Sequence, residues 1–523
     1  MDRVPSHPVL SCAAAKAWEA GRLPDEAAEW QAMQRAGLAL AAAITEDFKE
    51  IGGLPADARI LVLVGKGHNG GDALLAARAL LTAIPAATAE VVFCFGETTL
   101  RPLAARALAD LRSSVGPRAA TRLVAKGAPG LLAPGYALCL DGIFGFQFRP
   151  PMDDATADLI HAVNAHPAIR FRAAVDLPSG VGETNAPTVF RADFTYATGI
   201  VKQPVLLSAA AASVGRLRYL DLGFFDPVAK LGGPGCPGSA SPATDYVLTQ
   251  DILAPLAALR SSQTDKRTFG HLLVVGGSRS YPGAVVLAVR AALRSGAGLV
   301  TAFVPERLAP EYAARHPEAM WVGCPETAAG GLAGGTVDLI QARQSRATAM
   351  LMGPGMSAEP EVIETMVAIG RMSAIPLVLD ADALRPEVLA AAQGRSVVCT
   401  PHAGEYERIG GRAGLRPASG SGDVVTVLKG PLTRIVSNSG GSETGPTYYS
   451  PFGGPVLARG GSGDILAGLI GGLLAQSPAD PLLAACRGVV WHGRAADLLA
   501  RARGQVAIEL SETLEQLGPA LHP

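Results

Sequence analysis

The stretch GGSGDILAG (460–468) places three glycines and a serine hydroxyl directly before an aspartate that opens an apolar helical run. Glycine-rich turns at the start of a helix bind phosphate, because backbone N–H groups converge there and the helix dipole favours an anion. Asp464 therefore stands where a phosphate would be welcomed, and two anions in one small pocket repel each other. The carboxylate needs a task of its own in such a turn. Lys429 follows directly on the apolar VVTVL, where it can neutralise phosphate as a point charge. With Gly430, Pro431, Leu432 and Thr433 it reads as a nucleotide-holding loop. GPGMS (353–357), DADAL (380–384) and PHAGE (401–405) also sit at the ends of apolar runs, so Gly355 and His402 join Asp464 as candidates facing a substrate. In a doubly wound sheet the C-terminal strand ends form one edge, and hence one site.

The first half of the chain repeats the arrangement. GKGHNGGD (65–72) follows RILVLV and opens the helical GDALLAARALL (71–81). It lacks the Lys-Ser/Thr pair of a P-loop. Gly67, Gly70 and Gly71 are expected to let the backbone approach a ligand, while His68 and Asn69 offer side-chain donors or acceptors. DGIFG (141–145) and DLPSG (176–180) each put an Asp at the end of an apolar strand, before a glycine-containing loop. A single such Asp is more often a turn residue than a catalyst. Several polar strand ends together make a common cleft. Their carboxylate, hydroxyl, amide and carbonyl oxygens suit a hard cation. Near it a carboxylate, Asp141 or Asp176, can move protons on and off a substrate carbon or hydroxyl.

These residues need elements to hold them. Apolar runs alternate with helical patterns throughout: 59–65, 89–96, 136–145, 171–180 and 216–224, then 270–278, 298–305, 347–355, 375–384, 395–405, 424–431 and 434–438. That alternation predicts an α/β fold with mostly parallel sheets covered on both faces. The tail 463–503 is helical in character. A chain of 523 residues is too long for one core, and the Gly/Pro/Ser-rich 226–245 is the natural linker. Two doubly wound domains are expected, 1–225 and 246–523. A net charge of −1 gives no reason to expect nucleic acid or an anionic membrane as partner, and 5% aromatics weakens any base-stacking platform. Seven scattered cysteines without C-x-x-C point to buried small hydrophobes, with no disulfide framework or zinc site. Residues 1–12 lack a signal-peptide pattern, and the uncharged run 465–479 is Gly-broken and short for a span, so a soluble, cytoplasmic chain is expected.

AMQRAG (32–37), GKGHNGGD, DGIFG, DLPSG and ADFTYATGIVK (192–202) together resemble the N-terminal domain of the bacterial NAD(P)H-hydrate repair enzymes, a Rossmann-like epimerase, over roughly residues 10–225. Its substrates are NADHX and NADPHX, nicotinamide cofactors hydrated at ring carbon 6. The resemblance implies substrate contacts from His68, Asn69, Gly70, Gly71 and Asp72, from the loop Gly145, Phe146, Gln147, Phe148, Arg149, Pro150 and Pro151, and from Asp176. It also implies a potassium ion held by Asn69, Asp141 and Ser179. The family usually has Asn where His68 stands, Thr-Gly where Phe146-Gln147 stand, and a Gly soon after Lys202, where this chain has Gln203-Pro204.

Over roughly 246–515, PGA (282–284), GPG, LDADAL, TPHAGE, KG and GGSGD are similar, in order, to the ribokinase-like C-terminal dehydratase of the same enzymes. The resemblance implies that Ala284, Gly355, His402 and Asp464 meet the hydrate, and that Lys429–Thr433 and Gly463 hold an adenine nucleotide. Asp464 would act as base toward the substrate hydroxyl. The resemblance also implies the reaction: hydroxide is a poor leaving group, and in the family a nucleotide phosphorylates the hydrate so that phosphate can leave, with magnesium expected to assist at the phosphate oxygens. ADP is the expected donor, giving AMP and phosphate, because a fused two-domain chain resembles bacterial or archaeal members. Ser357 stands where Gly is usual, and Arg459 where Thr is usual. A homo-oligomer is expected. Alternative readings are a ribokinase-like kinase of another small molecule, a non-catalytic nucleotide-binding protein, and a first domain reduced to a structural role.

Overall fold

In the computed structural model, which describes residues 4–123, 135–225, 244–415, 422–438 and 445–522, the run RILVLV forms strand β1 (Arg59–Val64). Its alternation explains the layers around it. Ile60, Val62 and Val64 pack with Leu40, Ile44, Leu74 and Leu81 of helices Glu26–Phe48 and His68–Ala83. Leu61 and Leu63 pack on the opposite face with Leu159, Ile160 and Val163 of helix Asp154–Ala165. A strand sends alternate side chains opposite ways, so an unbroken apolar run is one buried on both faces.

Six further strands join it: β2 (Thr88–Phe93), β3 (Ala119–Leu123), β4 (Leu138–Gly142), β5 (Arg172–Val175), β6 (Phe194–Thr198) and β7 (Arg216–Leu220). The order is β3-β2-β1-β4-β5-β6-β7, with every neighbouring pair parallel. The chain turns back at the β1/β4 boundary, the switch point where doubly wound sheets open a ligand crevice. GKGHNGGD follows β1, and DGIFG begins within β4. Strand β3, AATRL, carries no apolar run; as an edge strand it has one neighbour and needs none.

The second unit builds its sheet from β8 (His271–Val275), β9 (Leu299–Pro305), β10 (Met320–Cys324), β11 (Ala349–Met352), β12 (Leu377–Leu379), β13 (Val397–Cys399), β14 (Val424–Leu428), β15 (Thr433–Asn438) and β16 (Thr447–Ser450). These lie in the order β16-β15-β14-β13-β12-β11-β8-β9-β10. The β14–β15 and β15–β16 pairs are antiparallel and the others parallel. The switch point here is β8/β11. Contacts divide the chain into His7–Val247 with Arg501–Gly504, and Leu248–Ala500 with Met1–Ser6 and Gln505–Pro523. Of the expected linker, residues 226–243 lie outside the described residues.

The apolar run after Asp464 is helix Ser462–Gln476, buried along nearly its whole length. A Cβ on Gly468 would lie 2.2 Å from the Ala288 carbonyl oxygen, and one on Gly472 would lie 2.1 Å from Ser295 Oγ. Glycines four residues apart thus make a groove for helix Pro282–Arg294, while Gly471 faces Leu272 and Leu351 of the sheet. No helix among the described residues is long and apolar enough to cross a membrane. Cys12, Cys139, Cys324, Cys399 and Cys486 are buried free thiols, and burial pushes Cys399 up to about 12. Gly468→Ala is expected to destabilise the second unit by about 1–3 kcal/mol through overpacking, read from its urea midpoint.

Candidate active sites

In the first unit a cavity of about 670 Å³ opens at the C-terminal strand ends and is lined by His68, Asn69, Asp72, residues Gly145–Arg149, Pro151, Asp176 and Lys202. Gly70 and Gly71 face protein instead. A Cβ on Gly71 would lie 2.2 Å from Met33 Cε, and one on Gly70 would lie 2.5 Å from the Gly65 carbonyl oxygen. Their smallness lets helix His68–Ala83 pack close to its own turn and to helix Glu26–Phe48. His68 is half-exposed, with Nε2 3.5 Å from Glu29 Oε2.

Asp176 follows β5 with a left-handed φ of 66°. Such a conformation costs a non-glycine residue of order 1–3 kcal/mol and persists where surroundings over-determine it. Its Oδ1 is 2.6 Å from Lys202 Nζ, and Lys202 is 1% exposed. Glu19, on helix Cys12–Arg22, places Oε1 3.9 Å from the same ammonium. Burial pushes the Glu19 carboxyl up to about 7, with Lys202 opposing. Burial, then the charges of Asp176 and Glu19, raise Asp72 well above the usual carboxylate range.

The two departures in the following loop have different consequences. Phe146 lays its ring 4.9 Å from Lys202 Nζ, a cation–π contact with the buried ammonium. Gln147 is exposed and is not among the residues of positive φ, so a side chain there carries no left-handed strain.

Behind the cavity, Asp141 is completely buried. Ser179 donates to it twice, Oγ to Oδ1 at 2.6 Å and N–H to Oδ2 at 2.7 Å. The Ile143 N–H donates to Oδ1 at 3.3 Å. Burial outweighs these bonds and raises Asp141 to about 6. Asn69 donates its amide to the Phe144 carbonyl at 2.9 Å, which turns its own carbonyl oxygen elsewhere.

In the second unit, β8, β11, β12, β13 and β14 bring their C-terminal ends to one edge. Gly355 has φ 65°, and a Cβ there would lie 3.0 Å from Ala284 Cβ and 2.6 Å from the Tyr281 carbonyl oxygen, so Ala284 and Gly355 are brought together. Asp380, 1% exposed at the end of β12, accepts from Thr400 Oγ1 at 2.7 Å and from Lys429 Nζ at 3.0 Å. Lys429 also lies 3.8 Å from Glu405. A Cβ on Gly463 would stand 3.1 Å from Lys429 Nζ, so the lysine reaches the glycine turn.

His402 caps helix Ala403–Arg408: its Nδ1 accepts from the Gly404 and Glu405 N–H groups, leaving Nε2 outward and 3.5 Å from Glu405 Oε1. Gly461 is left-handed at φ 94° and starts helix Ser462–Gln476, which carries Asp464 in its first turn. Burial first, then Asp380, Asp382 and Glu405, lift Asp464 to about 7, with Lys429 opposing. Ser357 has φ 81°, which explains why glycine suits that position. Arg459 donates to the carbonyls of Gln505, Val506 and Ile508, tying the glycine turn to the C-terminal segment.

Sequence reasoning assigned no role to Lys202, Glu19, Asp380 or Glu405. A signal existed for Lys202, a lone charge in the otherwise uncharged FTYATGIVK. Glu19 lies in a polar helix that reads as solvated, and only packing brings it to the cavity.

Two α/β sheets, one parallel and one mostly parallel, each with a glycine turn and buried acids at its C-terminal edge, define a chain of two small-molecule enzyme units. Residues 272–517 match the family described as NAD(P)H-hydrate dehydratase, and residues 29–204 match that described as YjeF-related protein N-terminus. A bifunctional NAD(P)H-hydrate repair enzyme Nnr of Gloeobacter violaceus is 36% identical over 92% of this chain and 91% of its own. One from Moorella thermoacetica is 32% identical over 93% and 91%. The chain belongs to the bifunctional NAD(P)H-hydrate repair enzymes, joining an epimerase-type to a ribokinase-like dehydratase-type domain. A relation spanning both units does not favour a stand-alone kinase. A Leishmania infantum relative, also named bifunctional, is 30% identical over 87% of this chain and 84% of its own, so fusion by itself does not mark a bacterial or archaeal chain.

Replacing Lys202 with Met leaves Asp176 buried without its partner. The first unit should lose about 3–5 kcal/mol, and Asp176→Asn in the same chain should recover most of it, measured by denaturant unfolding.

Proposed function

We propose that the first unit interconverts the R and S epimers of NADHX and NADPHX, and that the second dehydrates the S form in two steps driven by an adenine nucleotide. The observation that carries the reading is Asp464: a half-buried carboxyl lifted to about 7, one residue past the glycines of a helix start and among Lys429, Asp380 and Glu405. The C6 hydroxyl oxygen attacks the terminal phosphorus of the nucleotide, its proton passes to Asp464, and the P–O bond to the leaving nucleotide breaks. The C6–O bond then breaks with its electron pair on phosphate and a proton leaves C5, restoring the nicotinamide double bond. Glycine N–H groups and Lys429 offset charge on the phosphoryl group. Ala284, Gly355 and His402 face the hydrate, and Lys429–Thr433 with Gly463 hold the nucleotide. ADP is the favoured donor, with ATP the alternative.

Around Asp464 three further acids, Asp380, Asp382 and Glu405, share one lysine, an anionic excess that fits a divalent cation shared with nucleotide phosphates. Magnesium bound there would offset phosphate charge. No group of three or more His, Cys, Asp or Glu among the described residues is arranged to hold a metal unaided. In the first unit Asn69, Asp141 and Ser179 offer hard oxygen donors, and no Lys or Arg among the described residues pairs with buried Asp141; they fit a potassium ion, which would supply a positive charge beneath the loop. Lys16, Lys66, Arg101 and Arg149 fringe the first cavity and suit a dinucleotide's phosphates. Its 670 Å³ falls within the usual small-molecule range of about 300–1,000 Å³.

Purified protein is mixed with both NADHX epimers, with ADP, with ATP or with neither, and reduced-nicotinamide absorbance is followed. Full recovery with ADP is expected; absence of nucleotide-dependent recovery overturns the dehydratase reading, and recovery of the S half alone overturns the epimerase reading. Asp464→Asn should abolish dehydration and leave epimerisation intact. A base works when deprotonated, so the dehydration rate should climb as pH rises through about 7 and level off above it. The same raised carboxyl makes a linkage prediction. Its stabilising contribution is lost as pH rises through about 7, so Asp464→Asn should melt higher than wild type at pH 8 and lose that advantage near pH 4.

A further inference from the structure

The first cavity holds a carboxyl group that the reading above leaves idle. Asp72 lies in the second turn of helix His68–Ala83 and lines the cavity. Its Oδ1 is buried with no hydrogen-bond partner. Three carboxyls, those of Asp72, Asp176 and Glu19, face the single ammonium of Lys202, and that ammonium is committed to Asp176 at 2.6 Å. Glu19 is its looser neighbour at 3.9 Å, with a quarter of its side chain exposed. The other charged groups on the wall are His68, which faces Glu29, Lys16, three residues before Glu19 on the N-terminal helix, and Lys66, Arg101, Arg149 and Asp153.

Asp72 is half-buried, and a carboxyl whose buried oxygen has no partner avoids the cost of desolvated charge by keeping its proton. The electrostatics agree with that placement, since burial and the two neighbouring acids all favour the neutral form of Asp72. A neutral carboxyl facing a ligand cavity is a hydrogen-bond donor and an acid.

We propose that Asp72 is a catalytic acid of the epimerase, protonating the departing C6 hydroxyl, with Asp176 as the base that receives the proton of the incoming water. This rests on the epimerase reading of the first unit. Carbon 6 carries the hydroxyl and adjoins ring nitrogen 1. The C6–O bond breaks with its electron pair on oxygen, the Asp72 proton moves to that oxygen, and water leaves. The nitrogen lone pair becomes the second bond of N1=C6, which makes C6 planar and erases its configuration. Water adds from the other face, the N1=C6 pair returns to nitrogen, and the water's proton passes to Asp176. Exchange with solvent then returns Asp176 to its ion pair with Lys202 and the proton to Asp72. The reverse direction uses the two carboxyls in exchanged roles.

The test uses the full chain without nucleotide and follows conversion of R-NADHX to S-NADHX chromatographically, above the buffer rate. Asp72→Asn should slow the conversion about 10²–10³-fold, while its nucleotide-dependent dehydration of S-NADHX stays at the wild-type rate. An acid must hold its proton, so the wild-type rate should fall at alkaline pH; that limb should vanish in Asp72→Asn and move in Asp72→Glu, a shift that a purely structural role would not produce. Conversion by Asp72→Asn within about threefold of wild type, or a loss confined to Glu19→Gln, overturns the assignment and leaves the epimerase reading standing. A wild-type chain no faster than buffer overturns both.

Discussion

Burying carboxylates costs several kcal/mol each unless a positive charge, hydrogen bonds or a proton compensates, and at each site several buried or half-buried acids gather around one lysine. Lys202 stands against Asp176, Glu19 and Asp72; Lys429 stands against Asp380, Glu405 and Asp464. In both places the lysine commits to one close partner and leaves a carboxyl in surplus. The surplus group is raised above the usual carboxylate range, Asp464 to about 7, which suits it to proton transfer. The imbalance therefore generates the acid–base groups, and the sheet around each site is what makes it tolerable.

Sheet topology supplies that tolerance. Parallel strands connected through helices deliver their C-terminal ends to one edge, and the loops there are short enough to place acids from non-adjacent segments within a few ångströms. Small residues set how closely the layers approach. Gly468 and Gly472 let helix Ser462–Gln476 lie against helix Pro282–Arg294, which fixes the glycine turn and Asp464 relative to Gly355 and Ala284. Gly70 and Gly71 do the same for the helix that carries His68, Asn69 and Asp72. The glycines of these motifs thus divide into those that shape the backbone around a ligand and those that seat the helix behind it.

The two chemistries meet at one substrate atom. At carbon 6 the first unit would break and remake a C–O bond, and the second would turn the same oxygen into a phosphate leaving group. Hydroxide leaves poorly on its own, so each route needs an acid or a phosphoryl donor at that oxygen. A protonated Asp72 and a nucleotide beside Asp464, as proposed above, would be two physical answers to the same leaving-group problem.

From the sequence alone, the strands, their parallel arrangement and the clustering of GKGHNGGD, DGIFG, DLPSG and GGSGD at strand C-termini were all legible. Each is a local pattern of apolar period and turn chemistry. Strands β3, β6, β10 and β16 were not, because AATRL, FTYAT, MWVGC and TYYS lack the long aliphatic run that marks the others. The family followed from the motifs in order. Charge state and pairing were decided only by the tertiary structure. No spacing rule brings Glu19 to Lys202 across the fold, sets Phe146 over that ammonium, or packs Gly70 against Gly65 and Gly71 against Met33. The puzzle of an acid beside a phosphate turn is answered in the same way. Sequence places Asp464 one residue past the glycines, but its raised pKa depends on burial and on Asp380, Lys429 and Glu405, dozens of residues away along the chain. Desolvation and Coulomb energy depend on distance in space, which the order of residues does not contain.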